Sequence, residues 1–282
     1  MAKVIVTGGS GYIGRSTIPL LEKQGYICVV VDKVLGQHAH NPITMGWAFV
    51  KHKPVAVVHL SAKKSIGESI KKPITYYLNN LMSTLCVTFW CKVLNKPLVF
   101  SSSAAVYEPN NPYAKAKVIE EKIVSLLSKS VILRYFNIGG QSNGAIDLAS
   151  VNIFGVINRA VAGNTPFTIN DPVSTRDYTH VEDVAWANVC AVNHLLSGGG
   201  PVLTDIYTGE HRTVPQILRQ YEAHGVAPLV LYGNKKDTTI YPTVKEISQI
   251  GWVPTQTFNE IIQSEIEGLL NELSTKCNLT GR

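Results

Sequence analysis

The chain has 282 residues, 45% of them hydrophobic and 16% charged. That is enough apolar content for a packed core of about two domains or lobes, and it excludes general disorder. The formal net charge is +6, but the basic residues are scattered, with only short pairs such as Lys63-Lys64 and Lys71-Lys72. With no arginine-rich tract or nucleic-acid motif, no nucleic-acid partner is expected. A phosphorylated small molecule accounts equally well for the mild positive balance. No apolar run approaches the ~18 residues of a spanning helix, so no membrane role is expected. The start of the chain, MAKVIVTGGSGYIG, lacks the long apolar region of a signal peptide. The five cysteines, Cys28, Cys86, Cys91, Cys190 and Cys277, include no CxxC. That fits reduced thiols in the cytoplasm, with neither a disulfide framework nor a metal site.

In chain order, Lys3 to Val6 predicts a short strand that ends in glycines. Arg15 to Gln24 predicts a helix and Tyr26 to Val31 a buried strand. Pro54 to Leu60 is a further apolar run. A long helix over Ile74 to Leu94 and a strand over Pro97 to Phe100 come next. Tyr113 to Ser128 predicts a helix with Lys and Glu on its wet face, and Val131 to Arg134 a strand. Such alternation implies a parallel sheet covered on both faces. Beyond about Asn137 the pattern loosens, with helices near Asn152 to Val161, Val181 to Leu196, Val214 to Gly225 and Thr257 to Leu273. The expected fold is α/β: a Rossmann-type doubly wound parallel sheet over residues 1–140 and a smaller mixed α/β substrate-binding lobe over 141–282. Some elements of the lobe return to the first domain.

Gly8, Gly11 and Gly14 follow the first strand with GxxGxxG spacing and open the first helix. Glycines there allow a tight turn and let backbone N–H groups approach a pyrophosphate. Asp32 closes the second strand, 18 residues after Gly14. A carboxylate at that position accepts both hydroxyls of an adenosine ribose and repels a 2′-phosphate, which favours NAD over NADP. A tight turn with no ligand is the plainer alternative.

Ser103 lies just beyond a strand, and Tyr113 and Lys117 sit i, i+4 at the start of a helix, on one face. A phenol is a poor base at neutral pH, but a neighbouring ammonium favours its phenolate. Tyr113 can then take a proton from a sugar hydroxyl as hydride leaves the same carbon, with Ser103 bonded to that oxygen. An isolated YxxxK is more often a solvated helix pair. The order of glycine turn, Asp32, serine-ended strand and YxxxK favours the catalytic reading.

The stretches TGGSGYIG, HLSAKKSIGESIKKPITYYLNN, FSSSAAVY, PYAKAK, LRYFN and STRDYTHVEDVA cover residues 1 to about 190. Through them the chain resembles the extended short-chain dehydrogenase/reductase family, and within it the UDP-glucose (UDP-galactose) 4-epimerases. The resemblance implies Ser103, Tyr113 and Lys117 as catalytic residues, with Tyr113 the base. It implies Gly8, Gly11, Tyr12, Ile13, Gly14, Asp32, Leu60, Ser61, Lys64, Asn80 and Tyr135 at the NAD site, together with Tyr113 and Lys117. It places Asn137, Asn152, Arg176 and Lys236, with Ser103, on the UDP-sugar substrate. It further implies a homodimer through helices near Thr75 to Lys92 and Lys115 to Leu127. The expected activity is interconversion of UDP-glucose and UDP-galactose at C4 by transient hydride transfer to NAD, with N-acetylated forms left open. The residue that limits sugar size falls near Thr238 to Tyr241. Another NAD-dependent nucleotide-sugar enzyme (dehydratase, decarboxylase or reductase) and a non-catalytic NAD-binding module are the alternatives. Ala104-Ala105, where dehydratases usually place an acidic pair, weighs against a dehydratase, and Asp32 against an NADPH-dependent reductase. The retained Tyr113/Lys117 pair weighs against the non-catalytic module. The pattern is also trimmed: only 21 residues, Lys33 to Lys53, separate Asp32 from Pro54. The family usually has a further strand and an acidic residue there, so an open adenine side and looser NAD binding are expected. His59, at a strand end, is expected to be a packed histidine rather than a base.

Overall fold

β-branched and apolar runs build the centre of the first unit. The computed structural model describes residues 1–146, 148, 152–233 and 247–280. The chain divides into two units. The first comprises Met1–Tyr135, Val184–Ile206 and Pro242–Val253, and the second Phe136–Asp183, Tyr207–Tyr241 and Pro254–Arg282.

In the first unit, β1 (Lys3–Thr7), β2 (Ile27–Val31), β3 (Ala56–His59), β4 (Leu98–Ser103), β5 (Ser130–Tyr135) and β9 (Val202–Ile206) form one sheet. Its order is β2-β1-β3-β4-β5-β9, and every pairing is parallel. β3 is buried along its whole length and β1 and β4 nearly so, as strands covered by helices on both faces must be. On one face α2 (Pro42–His52), α4 (Pro73–Val93) and α5 (Pro112–Val124) close a core that includes Ile5, Met45, Phe49, Val87, Leu98, Phe100 and Ile132. On the other, Asn188 of α7 (Val181–Leu196) reaches both Tyr135 of β5 and Thr17 of α1 (Tyr12–Lys23). The sheet is therefore doubly wound, as expected.

Lys33 to Lys53 contains no strand. A 3-10 turn, Lys33–Leu35, leads into α2. Asn41 caps α2 by accepting from the Ile43 and Thr44 N–H groups, and Pro42 fills its first position. The backbone of α2 lies on an aromatic ring: a Cβ at Gly46 would come within 2.5 Å of Trp90. β2 is left as an edge strand of the sheet. A short helix, α3 (Ile66–Lys71), precedes α4.

The second unit is mixed. β8 (Thr175–His180) pairs parallel with β6 (Asn137–Gly139) and antiparallel with β10 (His211–Thr213). β7 (Phe167–Ile169) and β11 (Val230–Tyr232) form a parallel pair. α6 (Ile153–Gly163), α8 (Val214–Ala223) and α9 (Phe258–Thr280) pack around Phe154, Ile157, Tyr178, Tyr221 and Ile261. No described helix is long and apolar enough to cross a membrane.

Candidate active site

The turn after β1 depends on its glycines. Gly8 has φ +70°, and a Cβ there would lie 2.8 Å from the Ser61 amide nitrogen. A Cβ on Gly14 would lie 2.5 Å from the Gly9 carbonyl oxygen. Both positions exclude a side chain. Gly11 is the N-cap of α1 and supplies no side-chain cap, so backbone N–H groups form the helix entrance. Asp32, at the end of β2, is buried, and its carboxylate accepts from the Ser10 and Val34 N–H groups, each at 3.0 Å. Glycine turn, Asp32 and the segment after β3 line one cavity of about 290 Å³. Gly8, Gly11, Tyr12, Ile13, Gly14, Asp32, Leu60, Ser61 and Lys64 all line it, as do Lys33, Val34, Lys63 and Asn79. Asp32 is the one carboxylate among these lining residues. Val34 is largely exposed.

Asn80 lies beneath this lining rather than in it. It is fully buried and clamps the loop, accepting from the Lys63 N–H at 2.9 Å and donating to the Lys63 carbonyl at 3.0 Å. Its neighbour Asn79 takes the cavity position. Tyr76 is also buried. It donates to Glu68 at 3.0 Å, and burial together with that carboxylate pushes its phenol up to about 12. His59 is packed, as expected: 1% exposed, with Nδ1 2.6 Å from the Thr7 hydroxyl and Nε2 3.3 Å from that of Thr84. Burial, with a smaller contribution from the Lys117 charge, holds it down to about 3. It is neutral and unsuited to serve as a base near pH 7.

Ser103 ends β4, and its Oγ accepts from the Ala105 N–H at 3.2 Å. Pro112 opens α5 under an Asn111 cap, which sets half-buried Tyr113 in the first turn and Lys117 one turn on. The Lys117 ammonium is 2% exposed. It donates to the Ser101 carbonyl at 3.0 Å and to Glu120 at 2.8 Å, and it sits 4.6 Å from the centre of the Phe100 ring. Glu120 and Glu121 are buried as well, which corrects the expected wet face of α5: only Lys115 and Lys122 among its charged residues are exposed. Glu121 accepts from Arg134 at 2.8 and 2.7 Å and from Ser102 at 2.5 Å. Tyr135 is buried, with its hydroxyl on Asn188 at 2.8 Å, and burial raises its phenol. Ser103, Tyr113, Lys117 and Tyr135 lie outside the lining of the cavity beside the glycine turn.

In the second unit, Asn137 donates to the Asp177 carbonyl at 3.0 Å. Asn152 caps α6 through the Gly155 N–H and donates to the Ile138 carbonyl. Arg176, on β8, is half-buried and forms a long 3.8 Å ion pair with Asp171. Directly opposite it on β10 stands Arg212, which pairs with Glu210 at 2.8 Å and lies over Phe258. Like charges facing across strands are unfavourable, and sequence reasoning did not single out Arg212. A signal was available: a second arginine in a short strand. The pairing register that brings it opposite Arg176 is not legible in sequence. Lys236 and Thr238 to Tyr241 lie outside the described residues.

The model of the NAD dependent epimerase/dehydratase family matches residues 4–204. The chain belongs to this family. Among similar family members, the UDP-glucose 4-epimerase of Rhizobium leguminosarum bv. trifolii is 31% identical, over 93% of this chain and 95% of its own. In the solved structure of the Brucella ovis UDP-glucose 4-epimerase in complex with NAD, the fold agrees with a TM-score of 0.88. The identity is 26%, over 95% of this chain and 99% of that one. The Bifidobacterium longum UDP-glucose 4-epimerase, solved in complex with NAD+ and UDP, is 25% identical with a TM-score of 0.83, over 96% and 98%. The family match spans the glycine turn, Asp32, Ser103, Tyr113, Lys117 and Arg176 alike.

Proposed function

We propose that the chain is an NAD-dependent isomerase that interconverts UDP-glucose and UDP-galactose at C4. The observation that carries this reading is one unit holding both a side-chain-free glycine cradle with Asp32 and a Tyr113/Lys117 pair on α5, which packs on the strand ending in Ser103. The cradle fits a dinucleotide: Gly8 and Gly14 leave no room for a Cβ, and the start of α1 just after Gly11 suits a pyrophosphate. Asp32 would accept the ribose hydroxyls. Leu60, Ser61, Lys64, Tyr12 and Ile13 would line the cofactor, with Asn80 supporting the loop and Tyr135 on the nicotinamide side.

Bound NAD supplies a hydride acceptor that later returns the same hydride. Tyr113 would take the proton of the C4 hydroxyl as the sugar is oxidised and give it back to the same oxygen when the sugar is reduced. Ser103 donates to that oxygen. Lys117 keeps positive charge near the phenolate. Arg176 suits the diphosphate, Asn137 and Asn152 the rest of the UDP-sugar, and Lys236 is carried over from the resemblance alone. The N-acetylated UDP-hexoses are candidate substrates of the same chemistry.

Proton NMR of the protein with UDP-galactose and NAD is expected to show UDP-glucose without net NADH. Tyr113→Phe is expected to cut turnover by roughly 10²–10⁴-fold while NAD binding survives. Equal turnover in Tyr113→Phe would overturn the assignment of the base.

The expected homodimer finds support on α4. Ile74, Leu78, Met82, Leu85, Phe89 and Val93 are exposed at helical spacing, a continuous apolar stripe beside exposed Ile119 and Leu126. A second copy applying the same stripe would cover it. Leu78→Glu is expected to convert a dimer to a monomer in size-exclusion chromatography with light scattering. A wild-type monomer at micromolar concentration would refute it. Cys28, Cys86, Cys91 and Cys190 are free thiols, which accords with a cytoplasmic location.

A further inference from the structure

α5 carries two adjacent buried carboxylates of unequal standing. Glu121 is closed by three hydrogen bonds. Glu120 makes one, to Lys117 at 2.8 Å, while its other oxygen, Oε1, is buried with no partner among the described residues. A buried carboxylate with an unsatisfied oxygen is costly, and replacing a whole buried ion pair by apolar groups of similar volume is often neutral or stabilising, whereas removing one partner strands the other. Packing therefore gives no reason for a charge at this position; the ammonium beside it does.

We propose that Glu120 is a positioning residue that acts through Lys117 to bias the bound nicotinamide toward its oxidised form. The proposal rests on the reading of Tyr113 and Lys117 given above. Lys117 has three N–H donors. Ser101 and Glu120 take two and fix its direction, which leaves one for the cofactor. The charge argument has a definite sign. Oxidised nicotinamide is a cation and the reduced ring is neutral, so an uncompensated Lys117 disfavours the oxidised ring. Glu120 offsets part of that effect at the ring. An isomerase that must end every cycle with its hydride returned benefits from this bias.

The test is the ratio of affinities for NADH and NAD+, each measured by fluorescence titration on the full chain. A unit charge about 10 Å away at an effective dielectric of about 20 shifts such an equilibrium by on the order of tenfold. Glu120→Gln is expected to tighten NADH relative to NAD+ by about tenfold, a rise of about 30 mV in the bound two-electron potential. Glu120→Asp, which keeps the charge, is expected to stay within about twofold of wild type. Lys117→Met is expected to move the ratio the opposite way. A purely structural Glu120 would lower the melting temperature and leave the ratio unchanged. That outcome, with a shifted ratio in Lys117→Met, overturns the proposal. An unchanged ratio in Lys117→Met overturns the placement of Lys117 itself, and the proposal with it. Should Glu120→Gln fail to fold, Glu120→Met carries the same measurement.

Discussion

Two ion pairs flank one another on α5, and they are built to different standards. Arg134 and Glu121 form a fork-to-fork pair, joined by Ser102 and by Tyr107, whose hydroxyl accepts from Arg134 at 3.0 Å and donates to Asp205 at 2.7 Å. This network ties α5, β4, β5 and β9 together. Lys117 and Glu120, one residue away, meet through a single bond and leave an oxygen orphaned. A closed network fixes a fold, whereas an open one keeps bonding capacity in reserve, and the open one sits beside Tyr113.

Matched apolar replacements would break this contrast. Glu121→Met strands the Arg134 guanidinium, whose side chain is only 15% exposed. It is expected to cost about 3–5 kcal/mol in urea unfolding, the range for breaking a buried pair. Glu120→Met strands Lys117 in turn, at 3% side-chain exposure, but it removes one hydrogen bond against three and takes the unpartnered oxygen with it, so a smaller cost is expected. Equal costs would place both pairs in the same structural class. A smaller effect comes from His59, whose folded value of about 3 lies below its usual 6.5. Below pH 6.5 the unfolded chain binds a proton that the folded chain refuses, so this histidine lowers stability as pH falls. The loss reaches about 2 kcal/mol between pH 6.5 and 5. His59→Gln is expected to remove that share of the acid sensitivity of unfolding. An unaltered slope would show that His59 protonates in the folded state.

The elements legible in sequence were those with a long period or a punctuated boundary. β1, the glycine turn, β4, α5 and β5 fall within a few residues of their expected positions, because glycines and an Asn-Pro cap mark the ends. α2 carries the same kind of mark, Asn41-Pro42, but a segment expected to be trimmed concealed it. β6, β7, β10 and β11 have three residues each, too few for an alternation to register. The glycine turn was readable because backbone crowding at Gly8 and Gly14 excludes a side chain, and Asp32 because an acidic residue stands out at the end of an apolar strand. Asn79 and Asn80 were not separable, since a helix start decides which of two neighbours faces a cavity. Glu120 read as a solvated helix residue, since charge alone does not reveal burial.

The open edge at β2 has a consequence for the chain before it folds. Its sequence, Ile-Cys-Val-Val-Val, is uncharged and β-branched, and Ile27 is 41% exposed even in the finished sheet. Unsheltered runs of this kind pair with copies of themselves. Folding and aggregation therefore compete for the same strand, and light scattering during refolding is expected to rise steeply with chain concentration. A charge at Ile27, where the side chain already meets water, is expected to relieve it.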